Sequence, residues 1–140
     1  MSGKNEKVAA IVAAFQGREV DACYLGYFDC FNRHLFFEAH EVLEQLWLPQ
    51  RRGPDGNFYK GLIQLAGGFV HVQKGRFSPA AALFKLARKN LEPYPDVHQG
   101  MRLVPLRGLL ADWVRRLETG PGGERRFSVA DAPRLALVTG

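Results

Sequence analysis

Residues 35–48, LFFEAHEVLEQLWL, decide the fold. At about 100° per residue, Leu35, Phe36, Ala39, Val42, Leu43, Leu46 and Trp47 gather on one wide apolar face, the pattern of a helix that buries one side. The same period returns in residues 58–74, FYKGLIQLAGGFVHVQK. There Leu62, Leu65, Ala66, Phe69 and Val72 make the main apolar face, and Ile63 and Val70 widen it. Between the two lies PQRRGPDGN (49–57), dense in turn formers. A short connection between two complementary apolar faces predicts an antiparallel helical hairpin.

Outward from this pair the chain continues in helical periods. Residues 5–15 (NEKVAAIVAAF) read as an amphipathic helix ended by Gly17, and residues 19–32 (EVDACYLGYFDCFN) as a second, aromatic-rich one. Ser78-Pro79 has the form of an N-cap followed by proline at the first helical position, opening a helix over 79–91. Prolines 93 and 95 forbid helix interior, so EPYPDVHQG reads as a loop. A last helix runs from about Val104-Pro105 to Glu118 and is stopped by GPGG; the final stretch from Arg125 has no clear period and reads as an extended tail. No segment alternates convincingly as a strand. The expectation is one all-α domain over 1–140, a small bundle of five to six helices around a central antiparallel hairpin.

At 140 residues the chain can bury a core without metals or disulfides. Cys23 and Cys30 lie seven apart on one helical face, roughly 10 Å along the axis. A disulfide tolerates at most about 7 Å between Cα atoms, so both read as small core residues. The polar N-terminus and the short apolar run after it do not form a convincing secretory signal, and no run approaches the roughly 20 apolar residues of a membrane span, so a cytoplasmic protein is expected. The net charge is +5, with scattered basic pairs such as Arg51-Arg52, Arg88-Lys89 and Arg115-Arg116. A solvated surface is the simplest account; weak nucleic-acid binding resting on phosphate contacts is the alternative. Against that basic background, residues 38–44 hold three carboxylates and no Lys or Arg.

The polar residues of the two central helices fall into stripes beside the apolar faces. On 35–48, Phe37, His40, Glu44 and Trp47 align, with His40 and Glu44 as i,i+4 neighbours and Glu38 and Glu41 further toward solvent. On 58–74 the stripe is Lys60, Gln64, Gly67 and His71. Gly67-Gly68 costs roughly 1 kcal/mol per glycine in a helix interior, so either a close helix contact or room for a ligand should compensate. Facing each other in a hairpin, His40, Glu44 and His71 would offer two imidazoles and a carboxylate, a ligand set for zinc, iron or manganese. Glu41 would serve as the base on bound water, with Glu38, Gln64 and Trp47 lining the site. The alternative is a closed hydrogen-bond network, His40 to Glu44 and His71 to Gln64, that locks register in a non-catalytic binding module with a basic surface. His34, in a turn, and His98, in a proline-rich loop, read as exposed.

The string FNRHLFFEAHEVLEQLW (31–47), followed by KGLIQLAGGFVHVQKG (60–75), resembles the family catalogued as domain of unknown function 309. Its Phe31-Asn32, FFEAHEVLEQLW and GLIQLA motifs and its histidine ahead of a helix-ending glycine carry the likeness. SPAAALFKLARKNLEPYP (78–95) fits the next helix and loop, which takes the resemblance over about 28–118. It implies a small all-helical protein of a group often labelled, by prediction, metal-dependent hydrolases, with a polar set on Glu38, His40, Glu41, Glu44, Gln64 and His71. Two positions depart from the pattern. His34 stands where glycine is usual, and Gly67-Gly68 where alanine is usual.

Overall fold

The computed structural model describes residues 3–14, 21–119 and 129–138. Among them are six α-helices: α1 (Gly3–Ala14), α2 (Ala22–Asn32), α3 (Phe36–Trp47), α4 (Gly56–Gln73), α5 (Phe77–Leu91) and α6 (Leu103–Thr119). The all-α expectation holds. The Gly17 and GPGG helix stops and residues 125–128 lie outside the described residues. No helix of the described residues is long and apolar enough to cross a membrane. The loop expected at 92–100 ends in a small antiparallel hairpin that runs on past it, β1 (Val97–His98) with β2 (Met101–Arg102), in the register Val97↔Arg102 and His98↔Met101. Gln99 and Gly100 form its two-residue turn, both at positive φ (48° and 72°), the backbone twist such hairpins favour.

Helix ends are set by specific groups. Asp21 caps α2 through Oδ1, which accepts from Cys23 N and Tyr24 N. Two helices end in Schellman turns. At α2, His34 N–H donates to Phe31 O and Leu35 N–H to Cys30 O; at α4, Gly75 N–H donates to Val72 O and Arg76 N–H to His71 O. Such a turn needs a left-handed residue. Gly75 (φ 69°) supplies it freely, whereas His34 (φ 61°) does so against its Cβ, partly offset by stacking on Phe36 with ring centroids 5.4 Å apart. Ser78 is not the cap of α5: the helix begins at Phe77, so Ser78 and Pro79 lie within its first turn. Proline is tolerated there because first-turn N–H groups have no intrahelical acceptor. Asp55 precedes α4 but makes no cap bond. Its carboxylate is held by His98 Nε2 and Gln99 Nε2, each at 2.7 Å, and Tyr94 Oη accepts from Phe58 N–H instead. His98 is thus a half-buried clamp between the hairpin and α4, not the exposed loop histidine expected from the sequence.

The α3–α4 pair is antiparallel, as expected: Gln73 at the end of α4 donates to His34 O at the start of α3. The helix at the centre of the bundle is α4, packed against α3 on one side and α5 on the other. Its contact with α5 depends on missing side chains. A Cβ on Gly61 would sit 2.9 Å from Leu91 Cγ, and one on Gly68 would sit 2.3 Å from the Phe84 ring. Tyr27, fully buried on α2, donates its hydroxyl to Leu62 O at 2.6 Å. Phe31, Phe36, Phe69, Phe84 and Trp113 continue an aromatic core across α2–α6. Cys30 is buried and Cys23 packs against the core; both are free thiols, and burial raises the Cys30 pKa to about 11. The tail is tied back by Asn32, whose side-chain amide bonds both the N–H and the C=O of Leu135.

Leu43 and Leu65 are fully buried. Leu43→Ala and Leu65→Ala should each lower stability by about 2–5 kcal/mol in denaturant melts, with a loss under about 1 kcal/mol counting against the packing described. His34→Gly should do the reverse, raising stability by about 0.5–1 kcal/mol, because the left-handed turn no longer carries a Cβ. A drop on that substitution would mean that the stack on Phe36 outweighs the strain.

Candidate functional site

Between α3, α4 and α5 runs a groove of about 270 Å³, lined by Phe37, His40, Ile63, Gln64, Gly67, Val70, His71 and Leu83. The antiparallel hairpin brings the His40 stripe and the His71 stripe to the same depression. Gly67-Gly68 resolves into both of the compensations expected of it. Gly68 faces Phe84 and lets α5 approach, whereas Gly67 lines the groove, where a Cβ would meet only Leu83 Cδ1 at 3.3 Å.

His40 lies among carboxylates. Its Nδ1 is 3.6 Å from Glu41 Oε1 and its Nε2 is 3.7 Å from Glu44 Oε2, within ion-pair range but beyond good hydrogen-bond length. Phe37, half exposed at the rim, stacks against it, with ring centroids 6.2 Å apart and planes 27° apart. Glu41 is buried, not turned to solvent as the helical wheel implied. A wheel ranks only a helix's own faces, not what neighbouring helices cover. Glu38 meets such a neighbour: α1 packs on α3, and Lys7 Nζ reaches Glu38 Oε2 at 2.6 Å. That bond holds the Glu38 carboxyl below the usual range and makes Glu38 an anchor for α1; it does not line the groove. Trp47 is half-buried at the core edge, also away from the groove lining.

On the α4 side Gln64 Oε1 accepts from Asn90 Nδ2 at 2.7 Å, bridging to α5. Gln64 is therefore not closed onto His71. Among the described residues no protein group lies within hydrogen-bond distance of the buried Nδ1 atoms of His40 and His71, or of Trp47 Nε1. The closed network envisaged from the sequence is not formed. Nor are His40, Glu44 and His71 assembled as ligands. The two histidines share the groove, Glu44 flanks His40, and among the described residues no three His, Cys, Asp or Glu side chains are grouped closely enough to hold a metal ion. Ile63 and Val70 were read from the sequence only as a widening of the apolar face, and the α5 residues Leu83, which lines the groove, and Asn90, which holds Gln64, were not singled out. Their signal was the spacing of Leu83 and Asn90, two turns apart on a face of α5 outside its buried stripe.

Residues 24–83 match the model of the family described as domain of unknown function 309. The chain belongs to that family. The match spans most of α2, α3, α4 and the first half of α5, a shorter stretch than the resemblance suggested at its C-terminal side. It is also 27% identical, over 94 residues, to an uncharacterized protein of Aquifex aeolicus (strain VF5). That alignment covers 67% of this chain but 28% of the relative, so the chain spans little more than a quarter of the protein it matches. No solved structure matches.

Burial, with Arg76 and Lys74 nearby, holds the His71 pKa below its ordinary value near 6.5. A histidine depressed on folding binds fewer protons in the native state than in the unfolded chain. Its contribution is therefore whole above about pH 6.5 and is lost as pH falls from there through the folded-state value. Stability measured from about pH 7.5 to 5 should decline less steeply in His71→Gln than in the parent. Identical slopes would place His71 in ordinary solvent.

Proposed function

We propose that the groove is the active site of a small-molecule hydrolase in which His40 moves the proton. One observation carries this: beside one groove, the buried Nδ1 atoms of His40 and His71 have no hydrogen-bond partner among the described residues, and His40 lies next to the buried Glu41 carboxylate. Buried polar atoms in native proteins are nearly always paired, and an unpaired one costs stability that a functional role accounts for. In this reading His40 takes a proton from water in the groove. The resulting imidazolium lies 3.6 Å from Glu41 and 3.7 Å from Glu44, so two carboxylates stabilise it. His71, neutral at pH 7, and Gln64 orient the substrate from the α4 side, while Phe37, Ile63, Val70 and Leu83 exclude water from its apolar part.

The metal-dependent reaction that the family resemblance implies would use zinc, manganese or iron on His40, Glu44 and His71, with Glu41 as base. The donor types suit such an ion. Their arrangement does not, since the three side chains do not form one cluster, and acid–base chemistry is what the geometry supports best. The binding-module alternative draws on a second groove, between α5 and α6, lined by Lys85, Arg88, Lys89 and Glu92. Contacts of that kind are to phosphates and weaken steeply with salt.

His40→Gln should lower hydrolysis of p-nitrophenyl esters or phosphates by about 100-fold or more without changing the melting temperature. Turnover equal to that of the parent would sink the proposal. Calorimetric titration of zinc and manganese decides between its two forms. Stoichiometric binding lost in both His40→Ala and His71→Ala would move the chemistry onto a metal, and equal, weak heats in all three proteins would leave it with His40.

A further inference from the structure

The groove's charge distribution points to the class of molecule it takes, and the argument rests on reading the groove as a small-molecule site. Among its lining residues there is no Asp, Glu, Lys or Arg, so any field along it comes from just outside. That field is uneven. Lys74 and Arg76 follow directly on α4 at the His71 end, both exposed, with the Arg76 main chain bonded to His71 O. Among the described residues neither cation has a carboxylate partner. Their effect reaches the groove, because both are among the causes that disfavour a proton on His71. The acids that could oppose them are placed elsewhere: Glu38 is paired with Lys7, and Glu41 and Glu44 lie against His40.

The rest of the lining is apolar and broad. Phe37 and the His40 ring stack 27° from parallel at one wall, Ile63, Val70 and Leu83 complete the walls, and Gly67 leaves open the space that a Cβ would take from the floor. We infer that the groove selects an oxyanion, a carboxylate or phosphate carried on a flat apolar body, with its charged group at the His71 end and its body against Phe37 and Leu83. A neutral His71 carries one ring N–H, and an oxyanion accepts strongly from such a donor in a partly desolvated site. Lys74 and Arg76 compensate the charge from the rim, where solvent screens them and their effect is moderate.

Benzoate and phenyl phosphate supply the two oxyanions on one ring; benzyl alcohol and benzylamine are the neutral and cationic controls. Titrations of the whole protein, followed by the imidazole NMR signals of His40 and His71, should show both anions binding more tightly than either control. Bound benzoate should raise the titration midpoint of His71. The double variant Lys74→Gln/Arg76→Gln should weaken benzoate by about fivefold and leave benzyl alcohol unchanged. Which anion binds more tightly separates a carboxylate from a phosphate ligand. Benzyl alcohol or benzylamine binding as well as the anions, or a double variant without effect on benzoate, would overturn the oxyanion assignment alone. If none of the four probes moves either histidine, the small-molecule reading of the groove falls with it.

Discussion

The close approach of α4 to α5 is the contact on which the rest of the molecule depends. Gly61 and Gly68, two turns apart on one face of α4, let Leu91 and the Phe84 ring press onto its backbone, at distances that even a methyl group would not permit. Glycine weakens a helix by roughly 1 kcal/mol at each interior position. Here that is offset by dispersion contacts over a buried seam in which Phe84, Ala87 and Leu91 are fully excluded from solvent. With one face given to α5 and another to α3, α4 becomes the axis of the bundle. Tyr27 fixes α2 to it through the Leu62 carbonyl.

The groove follows from this geometry. Helices α3 and α5 flank α4 from either side, and the strip of α4 left between them carries Gln64, Gly67 and His71. The polar side chains there do not satisfy one another. Gln64 is engaged by Asn90, Glu44 stays at the flank of His40, and two buried ring nitrogens have no hydrogen-bond partner among the described residues. A polar strip kept only for helix register would be expected to close its hydrogen bonds, since unpaired buried groups cost more than paired ones return. That inequality gives the groove its functional reading.

Elsewhere, polar groups from distant segments secure the ends of the helices. Tyr94 and the Asp55–His98 pair hold the start of α4, Asp96 accepts from Val104 N–H at the start of α6, and Asn32 holds the Leu135 main chain through both halves of its amide. The last contact explains the asparagine of the Phe31-Asn32 motif without any chemistry. It gives the tail main-chain partners, to which Val138 N–H adds a bond to Gly100 O. These clamps join segments from 8 to 103 residues apart and give the short loops their shape.

The helices, their pairing and the stripe of His40, Gln64 and His71 were legible in the sequence, because hydrophobic period and turn composition are local properties that a helix preserves. Position 34 was marked by the resemblance, a histidine where glycine is usual, but its left-handed turn was not read from the sequence. What lay beyond the sequence was everything set by a neighbour. Glu38 is paired because α1 packs on α3, and Glu41 is buried; Ser78 is no cap because α5 begins at Phe77, two residues before the expected Pro79; His98 is a clamp because Asp55 lies beside it. Whether His40, Glu44 and His71 form one cluster was likewise beyond a helical wheel. A wheel gives the direction of a side chain from its own axis, whereas the distance between two axes and the rotamers that span it are decided only when the helices pack.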